Sequence, residues 1–489
     1  MSGRPFPEVP LEKIGNYTWR IPQKYKSGMR VPGQVFADET LLEKMKTDRT
    51  LHQCVNVAHL PGIYKYAITL PDGHEGYGFP IGGVAATDYE EGVVSPGGVG
   101  YDINCGVRLL TTNLTENDIR PKLAELINSI FNNVPCGLGS RRKDFRVTTH
   151  ELDRLVVEGV QWLIEQGMGW PEDAEHCEEN GSMRTANPDK VSTRAKSRGL
   201  PQVGTLGSGN HFLEVQRVGK IYNPQVAKAF GIEQEGQVTV MIHCGSRGFG
   251  HQICSDYLRV MESAVHRYKI ALPDRELACA PGTSPEAQDY YQAMACAVNY
   301  AFTNRQAITH WVRQSFEQVF KKPAESFGLN LVYDVAHNIA KVENHNVDDS
   351  KRKVWIHRKG ATRAFGPDNP EVPADYRAVG QPVLIPGSMG TGSWVLVGTK
   401  RAMDVSFGST AHGAGRMMSR SAAKRRFWGK DVKKALEQRG IMSRAASFVV
   451  LAEEADPAYK NVDKVAEVSD KVGIATRVVR LSPMAVVKG

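Results

Sequence analysis

The chain has 489 residues, of which 41% are hydrophobic, so it can build a large core. Its formal charge of +8 favours a polyanionic partner, although the excess is modest for this length. Residues 1–15 lack the apolar core of a signal peptide, and no run approaches the ~20 apolar residues of a membrane span. Eight cysteines without a CxxC pair argue against a zinc ribbon and favour a reducing compartment. We therefore expect a soluble cytoplasmic protein that has no membrane contact.

The predicted elements do not alternate regularly along the chain. Glycine-rich strand and turn patterns dominate up to about Leu110 and return between Val354 and Phe407. Helical periodicity predicts helices near residues 121–132, 153–166, 251–268, 284–319 and 415–438. This mixture predicts an α+β fold. No linker or repeat divides the sequence, so we expect one catalytic domain over residues 1–489.

The segment 96–106, which reads PGGVGYDINCG, is the most informative part of the sequence. It places the carboxylate of Asp102 three residues before the thiol of Cys105, in a glycine-dense loop. A glycine-rich backbone can approach ions closely, and the two side chains offer one hard and one soft donor to the same cation. A tight turn with a buried cysteine is the alternative, because free cysteine is among the most buried residue types.

Three histidines in unusual settings favour the metal site. His211 follows a glycine-rich run, His243 closes the apolar run 238–242, and His337 follows the apolar run 331–335. The last two are predicted to lie at strand ends, where a rigid scaffold presents reactive groups. For any one of them, a hydrogen-bonded core histidine is the alternative.

A fourth histidine begins the motif HGAGR, residues 412–416. Small residues around His412 let backbone N–H groups face an anion, and the next segment is predicted to be a helix whose positive end would face the same anion. Arg416 and Arg420 add bidentate donors. The pattern predicts a phosphate site, and a glycine-rich turn before a basic helix is the alternative.

Together these motifs resemble the RtcB-type 3′-phosphate RNA ligases, a family that joins RNA ends with GTP and manganese. The resemblance runs from about Ile14 to the C-terminal Lys488 and Gly489, and an ordered set of such long motifs is far more specific than a lone glycine motif. The motifs are LPGI (60–63), PDGH (71–74), DINCG (102–106), GNH (209–211), HCGSRG (243–248), DVAHN (334–338) and HGAGR (412–416). The resemblance implies mixed sheets surrounded by helices, in agreement with the α+β class.

The resemblance implies a centre with two manganese ions bridged by the thiolate of Cys105. One ion would bind Cys105, His243 and His337, and the other would bind Asp102, Cys105 and His211. Paired metals roughly 3.5–4 Å apart can stabilise the attacking and leaving oxygens together. Nitrogen and sulfur donors suit zinc at least as well, so the choice of manganese rests on the resemblance alone.

The resemblance also makes His412 the nucleophile that attacks the α-phosphorus of GTP, releases pyrophosphate and holds GMP through a phosphoramidate bond. The GMP would pass to an RNA 3′-phosphate, and a 5′-hydroxyl would attack the activated RNA-ppG end. A 2′,3′-cyclic phosphate would first be opened. The implied guanylate pocket consists of Asn210, His211, Phe212, Leu213, Glu214, His337, Asn338, Pro386, Gly387, Ser388, Met389, Ser393, His412, Gly413, Ala414, Gly415 and Lys488.

Two members of that pocket suit guanine. The carboxylate of Glu214 can accept from N1 and the exocyclic amine, and the ammonium of Lys488 can donate to O6 or N7. Asp72 and His74 lie in a loop of the same glycine-rich character and are candidates for groups behind the metal ligands or for RNA contacts.

RNA is the implied partner, in tRNA splicing and RNA repair, and the small protein archease is a candidate activator. The residues expected to hold RNA phosphates lie inside or next to the ligand motifs. They are Arg198, Arg247, Arg416 and Arg420.

Two other functions fit part of the pattern. A two-metal phosphoesterase acting on terminal or cyclic RNA phosphates would use the same metals and arginines, but it would need neither a covalent guanylate nor a purine pocket. A non-catalytic RNA-binding scaffold would not need five metal ligands. The sequence lacks the KxDG motif of familiar nucleotidyltransferases and the P-loop GK[ST], so GTP is implied only by the resemblance.

Overall fold

The computed structural model describes residues 6–142 and 144–489. The predictions for the segment 1–15 and for a domain over 1–489 therefore fall partly on residues that lie outside the described ones. Within the described ranges, no helix is both long enough and apolar enough to cross a membrane.

Nineteen strands form in the described residues. In chain order they are β1 (Glu12–Gly15), β2 (Thr18–Ile21), β3 (Gly33–Phe36), β4 (Ala67–His74), β5 (Ile81–Asp88), β6 (Val93–Val94), β7 (Gly106–Thr115), β8 (Phe212–Ile221), β9 (Gln237–Cys244), β10 (Ala280–Pro281), β11 (Leu331–Ala336), β12 (Asn338–Val347), β13 (Ser350–Lys359), β14 (Ala361–Arg363), β15 (Pro382–Ile385), β16 (Ser393–Gly398), β17 (Ser409–Ala411), β18 (Met442–Ala445) and β19 (Ala475–Lys488).

The strands build two large sheets and two short ribbons. The first sheet has the order β1-β2-β3-β4-β5-β13-β12, and the second has the order β11-β7-β9-β8-β19-β16-β15 with β18 also paired to β19. The ribbons are β6 with β10 and β14 with β17. Only the pairs β3–β4 and β18–β19 are parallel among the described strands. Mainly antiparallel sheets with separate helices confirm the predicted α+β class.

Sixteen α-helices pack around the sheets in the described residues. They are α1 (Glu39–Lys46), α2 (Thr50–Val57), α3 (Glu116–Ile119), α4 (Leu123–Asn133), α5 (Thr149–Glu158), α6 (Val160–Ile164), α7 (Glu172–Glu175), α8 (Thr193–Gly199), α9 (Pro224–Ala229), α10 (Arg247–Arg267), α11 (Pro285–Phe320), α12 (Lys400–Ser406), α13 (Arg420–Arg426), α14 (Gly429–Gln438), α15 (Phe448–Glu453) and α16 (Val462–Val472).

The predicted helices near 121–132, 251–268 and 284–319 correspond to α4, α10 and α11. The helix predicted at 153–166 is divided into α5 and α6, because Gly159 between them has a φ of 64°. The helix predicted at 415–438 is wrong at its start, since α13 begins only at Arg420, after the Ser419 side chain has capped it. It is also interrupted, because the extended backbone of Phe427 ends α13 before α14 begins at Gly429. The strand and turn pattern expected before Leu110 also misses α1 and α2, whose buried leucines pack in the core of the first sheet.

Helices α4, α10 and α11 cover one face of the second sheet. Side chains alternate along each strand, so in β9 Val240 and Ile242 pack against these helices, whereas Met241 packs on the opposite face. His243 shares the face of Met241. The sheet is therefore buried on both sides, and its strand ends are held rigidly.

Candidate active site

The second sheet brings the predicted metal ligands to one edge. Strands β7 and β8 begin there and β9 and β11 end there, so Gly106 pairs with Ala336 and with Cys244. Phe212 pairs in turn with His243. Residues at or just beyond these strand ends therefore become neighbours, namely Asp102, Cys105, His211, His243 and His337.

The first part of this cluster is formed by Asp102, Cys105 and His211, whose ligand atoms all lie within 4.8 Å of one another. His211 Nε2 is 2.8 Å from Asp102 Oδ2 and 3.7 Å from Cys105 Sγ. His211 Nδ1 is 3.0 Å from the carbonyl oxygen of Leu206, which assigns the proton to Nδ1 and leaves Nε2 as a ligand atom.

Electrostatics in this part of the cluster favour a cation. Burial opposes the charged form of His211, but the nearby charges of Cys244 and Asp102 outweigh burial and hold the pKa of His211 well above its ordinary value. Burial and the Asp102 carboxylate raise the pKa of the Cys105 thiol to about 11. Protons on His211 and Cys105 therefore balance the negative charge of the site. A bound metal ion would supply this positive charge instead and would displace the thiol proton.

His243 and His337 complete the cluster. Cys105 Sγ is 3.2 Å from His243 Nε2, and the ring centroids of His243 and His337 are 5.7 Å apart. Burial lowers the pKa of both imidazoles well below the ordinary value, so both rings are neutral. His243 Nδ1 and both ring nitrogens of His337 are buried and have no hydrogen-bond partner among the described residues.

Buried polar atoms without a partner are costly and need an explanation. A divalent cation explains them, because neutral imidazole nitrogens, a thiolate and a carboxylate are all metal donors. The five side chains therefore fit a metal centre by their chemistry as well as by their proximity.

His412 lies next to this cluster. Ala411 in β17 pairs with Ala361 in β14, and the amide of Ala361 donates to the carbonyl oxygen of His337 at 3.0 Å. The rings of His412 and His337 consequently have centroids 5.2 Å apart. Asp72 Oδ2 accepts from the His412 backbone amide at 3.0 Å and is 2.5 Å from His412 Nδ1. A proton on Nδ1 leaves Nε2 with a free lone pair.

The PDGH motif at the end of β4 forms the support behind His412. Asp72 is fully buried, and His74 Nδ1 lies 2.9 Å from its carbonyl oxygen. Burial lowers the pKa of His74 to about 4 and that of Lys460 to about 8. Lys460 Nζ donates to the carbonyl oxygen of Gly73, so His74 is neutral and Lys460 is a nearby cation.

A cavity of about 300 Å³ opens between His412 and the metal cluster, which is the lower end of the range of ligand pockets. Most of the predicted pocket residues line it, together with three of the predicted metal ligands: Asp102, Cys105, Asn210, Phe212, His243, Asn338, Pro386, Gly387, Ser388, Met389, His412, Gly413, Ala414, Gly415 and Lys488. The other predicted pocket residues are buried and are not part of this lining, namely His211, Leu213, Glu214, His337 and Ser393.

Glu214 and Lys488 lie on the paired strands β8 and β19, where Lys488 lines the cavity and Glu214 is buried. Glu214 Oε2 accepts from Gln216 Nε2 at 2.8 Å, whereas its buried Oε1 has no partner in the described part of the chain. Burial raises the pKa of Glu214 to about 8. Lys488 Nζ lies 3.4 Å from Glu454 Oε2, and burial lowers the pKa of Lys488.

Comparison with known proteins identifies the family. The family model described as tRNA-splicing ligase RtcB matches residues 53–489. The chain is 59% identical over 481 residues to the tRNA-splicing ligase RtcB of Thermococcus kodakarensis, an alignment that covers 98% of this chain and 99% of that protein. The chain belongs to the RtcB family. The proteins with the same name from Pyrobaculum aerophilum and Methanococcus maripaludis are 58% and 56% identical to it, again over 98% of this chain and 99% of each relative.

Two of the four arginines that the RtcB resemblance suggested for RNA phosphates lie near the metal cluster. Arg420 lines the cavity, its Nη2 donates to Asn210 Oδ1 at 3.2 Å, and its Nε is 3.2 Å from Glu453 Oε1 while the side chain stays half exposed. Arg247 Nη1 is 3.4 Å from His211 Nδ1. Both guanidinium groups can therefore reach an anion that enters beside the metal ligands.

The other two arginines are placed differently. Arg198 is on the exposed side of α8, donates to Gln252 Oε1 at 3.0 Å and is not part of the cavity lining. Arg416 does line the cavity, but its Nη1 is already 3.1 Å from Glu454 Oε1 and 3.1 Å from the hydroxyl of Tyr459. Arg416 therefore braces the cavity wall in this structure.

Glu454 lines the cavity but was predicted neither from the sequence pattern nor from the resemblance to the RtcB family. It is almost fully buried, yet it contacts Arg416, Lys488 and Tyr459, whose hydroxyl donates to it. It follows an apolar helix in a segment with neither glycine-rich loops nor ligand spacing. No local pattern could have identified it, because its role arises from contacts distant in sequence.

Proposed function

We propose that this chain, as a member of the RtcB family, is an RNA ligase of tRNA splicing and RNA repair that joins RNA 3′-phosphate or 2′,3′-cyclic phosphate ends to 5′-hydroxyl ends. The observation that carries the proposal is the position of His412. Its Nδ1 is held by Asp72 at 2.5 Å, and its ring lies beside the metal cluster on the wall of the cavity. A partly exposed, oriented imidazole next to metal donors suits nucleophilic catalysis on a phosphate.

In the proposed first step, His412 Nε2 attacks the α-phosphorus of GTP. The N–P bond forms while the bond from the α-phosphorus to the β-phosphate oxygen breaks, so pyrophosphate leaves and GMP stays on His412. Asp72 keeps the proton on Nδ1 and stabilises the positive charge that develops on the ring. GMP then moves to an RNA 3′-phosphate, and the 5′-hydroxyl of the second RNA end displaces it.

We propose that two Mn²⁺ ions occupy the cluster, with Cys105 between them. One ion would be held by Cys105, His243 and His337, and the other by Asp102, Cys105 and His211. When bound, such ions polarise the phosphates and neutralise the negative charge that develops during transfer. Support comes from the unpartnered nitrogens of the two buried histidines, whereas manganese rather than zinc rests on the family.

The guanine base is proposed to lie near Glu214 and Lys488. When Glu214 is deprotonated, its unpartnered Oε1 can accept from guanine N1 or its exocyclic amine, and Lys488 can donate to O6 or N7. Adenine presents the opposite pattern of donors and acceptors, so a site built this way rejects ATP strongly. The loop residues 386–389 and 413–415 of the lining would surround the ribose and phosphates.

The RNA phosphates are proposed to bind Arg247 and Arg420, with Arg198 further out. Arg416 would join them after leaving Glu454. We further propose that residues 1–489 work as one catalytic domain in the cytoplasm, together with an archease-type activator. All eight cysteines are free thiols, which suits a reducing compartment.

Labelling with α-labelled GTP and Mn²⁺ tests the proposed function. Wild type is expected to acquire an acid-labile label that His412→Ala and Cys105→Ala lack, while the exposed control His150→Ala keeps it. RNA that ends in a 3′-phosphate should remove the label from the protein only if the protein can transfer GMP to the RNA end for ligation.

The same experiment separates the two-metal phosphoesterase from the ligase. A phosphoesterase would hydrolyse terminal or cyclic RNA phosphates without GTP, and His412→Ala would keep that turnover. Absence of label with every divalent metal and with activator protein added would overturn the ligase proposal.

A further inference from the structure

Beside the mouth of the cavity, helix α13 leads to exposed aromatic rings. Trp428 is 78% exposed and Phe448 is 48% exposed, although large aromatic side chains are ordinarily well covered. Their backbones adjoin, because a Cβ added to Gly429 would lie only 1.9 Å from the carbonyl oxygen of Phe448. The two rings therefore belong to one patch of the surface.

Basic residues are dense in the segment that contains Trp428. The segment 420–434 has one acidic residue, Asp431, and many basic ones, which are Arg420, Lys424, Arg425, Arg426, Lys430, Lys433 and Lys434. Lys424 is 3.5 Å from Glu453 Oε2. Arg425 and Arg426 are exposed and form no ion pair within residues 6–142 and 144–489. Their positive charge is thus available to an anionic ligand.

The patch is connected to the cavity through α13. The helix starts at Arg420, whose side chain donates to Asn210 on the cavity wall. Seven residues of α-helix extend about 10 Å, and Trp428 follows two residues after the helix ends. A ligand that leaves the cavity past Arg420 would therefore meet the aromatic rings next.

We propose that this aromatic–basic surface, made of Arg425, Arg426, Trp428, Lys430 and Phe448, docks the single-stranded RNA whose end enters the cavity. The rings stack on bases and the cations neutralise phosphates, which is how proteins bind single strands without sequence preference. The charge selects a polyanion, and the open ring faces select one that carries bases. The inference rests on the proposed ligase function and adds to it the path of the RNA strand.

The test measures the affinity of the full chain for a fluorescent single-stranded RNA that ends in a 3′-phosphate. Replacing both rings, with Trp428→Ala and Phe448→Ala together, is expected to weaken binding by about tenfold or more, because each base–aromatic stack contributes substantially. Replacing Arg425 and Arg426 by alanine is expected to make the slope of log affinity against log salt shallower by about 1.4, for two lost phosphate contacts.

A matched control replaces two exposed cations far from the cavity, Lys351 and Arg352, at the start of β13 in its hairpin with β12. Lys351 pairs with Asn346, eight residues along β12 from Asn338 in the cavity lining and so roughly 26 Å from it. This variant should keep both the affinity and the salt slope of wild type. An RNA with abasic sites near its 3′ end should bind wild type as weakly as the ring variant binds normal RNA.

Labelling by α-labelled GTP distinguishes the two proposals, because the surface residues lie outside the cavity lining and their variants should label like wild type. If wild type itself is not labelled, the proposed ligase mechanism fails. If labelling is normal but the ring and arginine variants bind RNA as wild type does, the surface inference alone is wrong. Unchanged RNA affinity with a lost response to an activator protein would also overturn it, and would assign the surface to a protein partner.

Discussion

Two fully buried carboxylates, Asp334 in the core and Asp72 at the candidate site, differ in how their oxygens are hydrogen-bonded. Asp334 in β11 has both oxygens occupied, since Arg108 Nε is 2.8 Å from Oδ2 and Arg305 Nη2 is 2.8 Å from Oδ1. Asp72 in β4 uses Oδ2 to hold His412, whereas its Oδ1 has no hydrogen-bond partner among the described residues. The two carboxylates are therefore equally buried, but only Asp334 has partners for both of its oxygens.

The surroundings of the two carboxylates differ in the same way. Arg305, paired with Asp334, also donates to the carbonyl oxygens of Asn104 and Cys244 at 2.9 and 2.7 Å, and so fixes the backbone next to the proposed metal ligands Cys105 and His243. Around the cavity, by contrast, His337 and Glu214 keep buried atoms without partners in the described chain. Paired buried charges support the fold, and the unpartnered buried atoms around the cavity are ones that a bound ligand would satisfy.

The largest effect is expected for Asp72→Asn. An amide in place of the carboxylate no longer enforces the proton on His412 Nδ1, and such a change in a catalytic histidine–aspartate pair costs about 10⁴-fold in rate. The initial rate of labelling from α-labelled GTP measures this loss. The exposed Asp368→Asn is the control and should label normally, and a rate within tenfold of wild type in Asp72→Asn would contradict the assigned role.

Asp334→Ala is expected to affect stability instead. It leaves the buried guanidinium groups of Arg108 and Arg305 without their carboxylate, which costs about 3–5 kcal/mol of unfolding free energy. Urea unfolding monitored by circular dichroism measures the change. Asp72→Asn is the comparison and should unfold within about 1 kcal/mol of wild type. Similar losses in the two variants would refute the distinction between the two carboxylates.

His337→Ala sharpens the comparison at the metal cluster. Substituting a residue that hydrogen-bonds a metal ligand lowers metal affinity about 10–100-fold. Removing a proposed ligand itself should therefore weaken Mn²⁺ binding by more than about a hundredfold. Isothermal titration calorimetry measures the affinity. The control is His345→Ala, because buried His345 lies 2.8 Å from Glu343 Oε2 and should affect stability alone. Equal Mn²⁺ affinity in wild type and His337→Ala would remove His337 from the ligand set.

The smallest effect concerns the pH dependence of stability at Glu214. Its pKa is raised from 4.5 to about 8 in the folded chain, so its contribution to stability is fully present below pH 4.5 and is lost as the pH rises through about 8. Glu214→Gln does not titrate. The melting temperature of Glu214→Gln minus that of wild type should therefore increase as the pH rises from 4.5 to about 8. A difference that stays constant in thermal scans over this pH range would contradict the raised pKa.

The sequence supported the α+β class, the long helices and the family, because those depend on local periodicity and on contiguous motifs. It also grouped Asp102, Cys105 and the three histidines as ligands, but only strand register explains how β7, β8, β9 and β11 bring them to one edge. Glu454 and the bracing of Arg416 could not be predicted, since both depend on contacts between distant segments. The helix break before Trp428 was missed because the basic segment has helical periodicity throughout.

The most direct test of the central claim is the intact mass of the purified protein after incubation with GTP and Mn²⁺, followed by mapping of the modified peptide. The account predicts a gain of one GMP that is located on His412, is lost in acid and is absent from His412→Ala. A GMP adduct on any other residue, or an unmodified protein that still ligates RNA, would contradict the account.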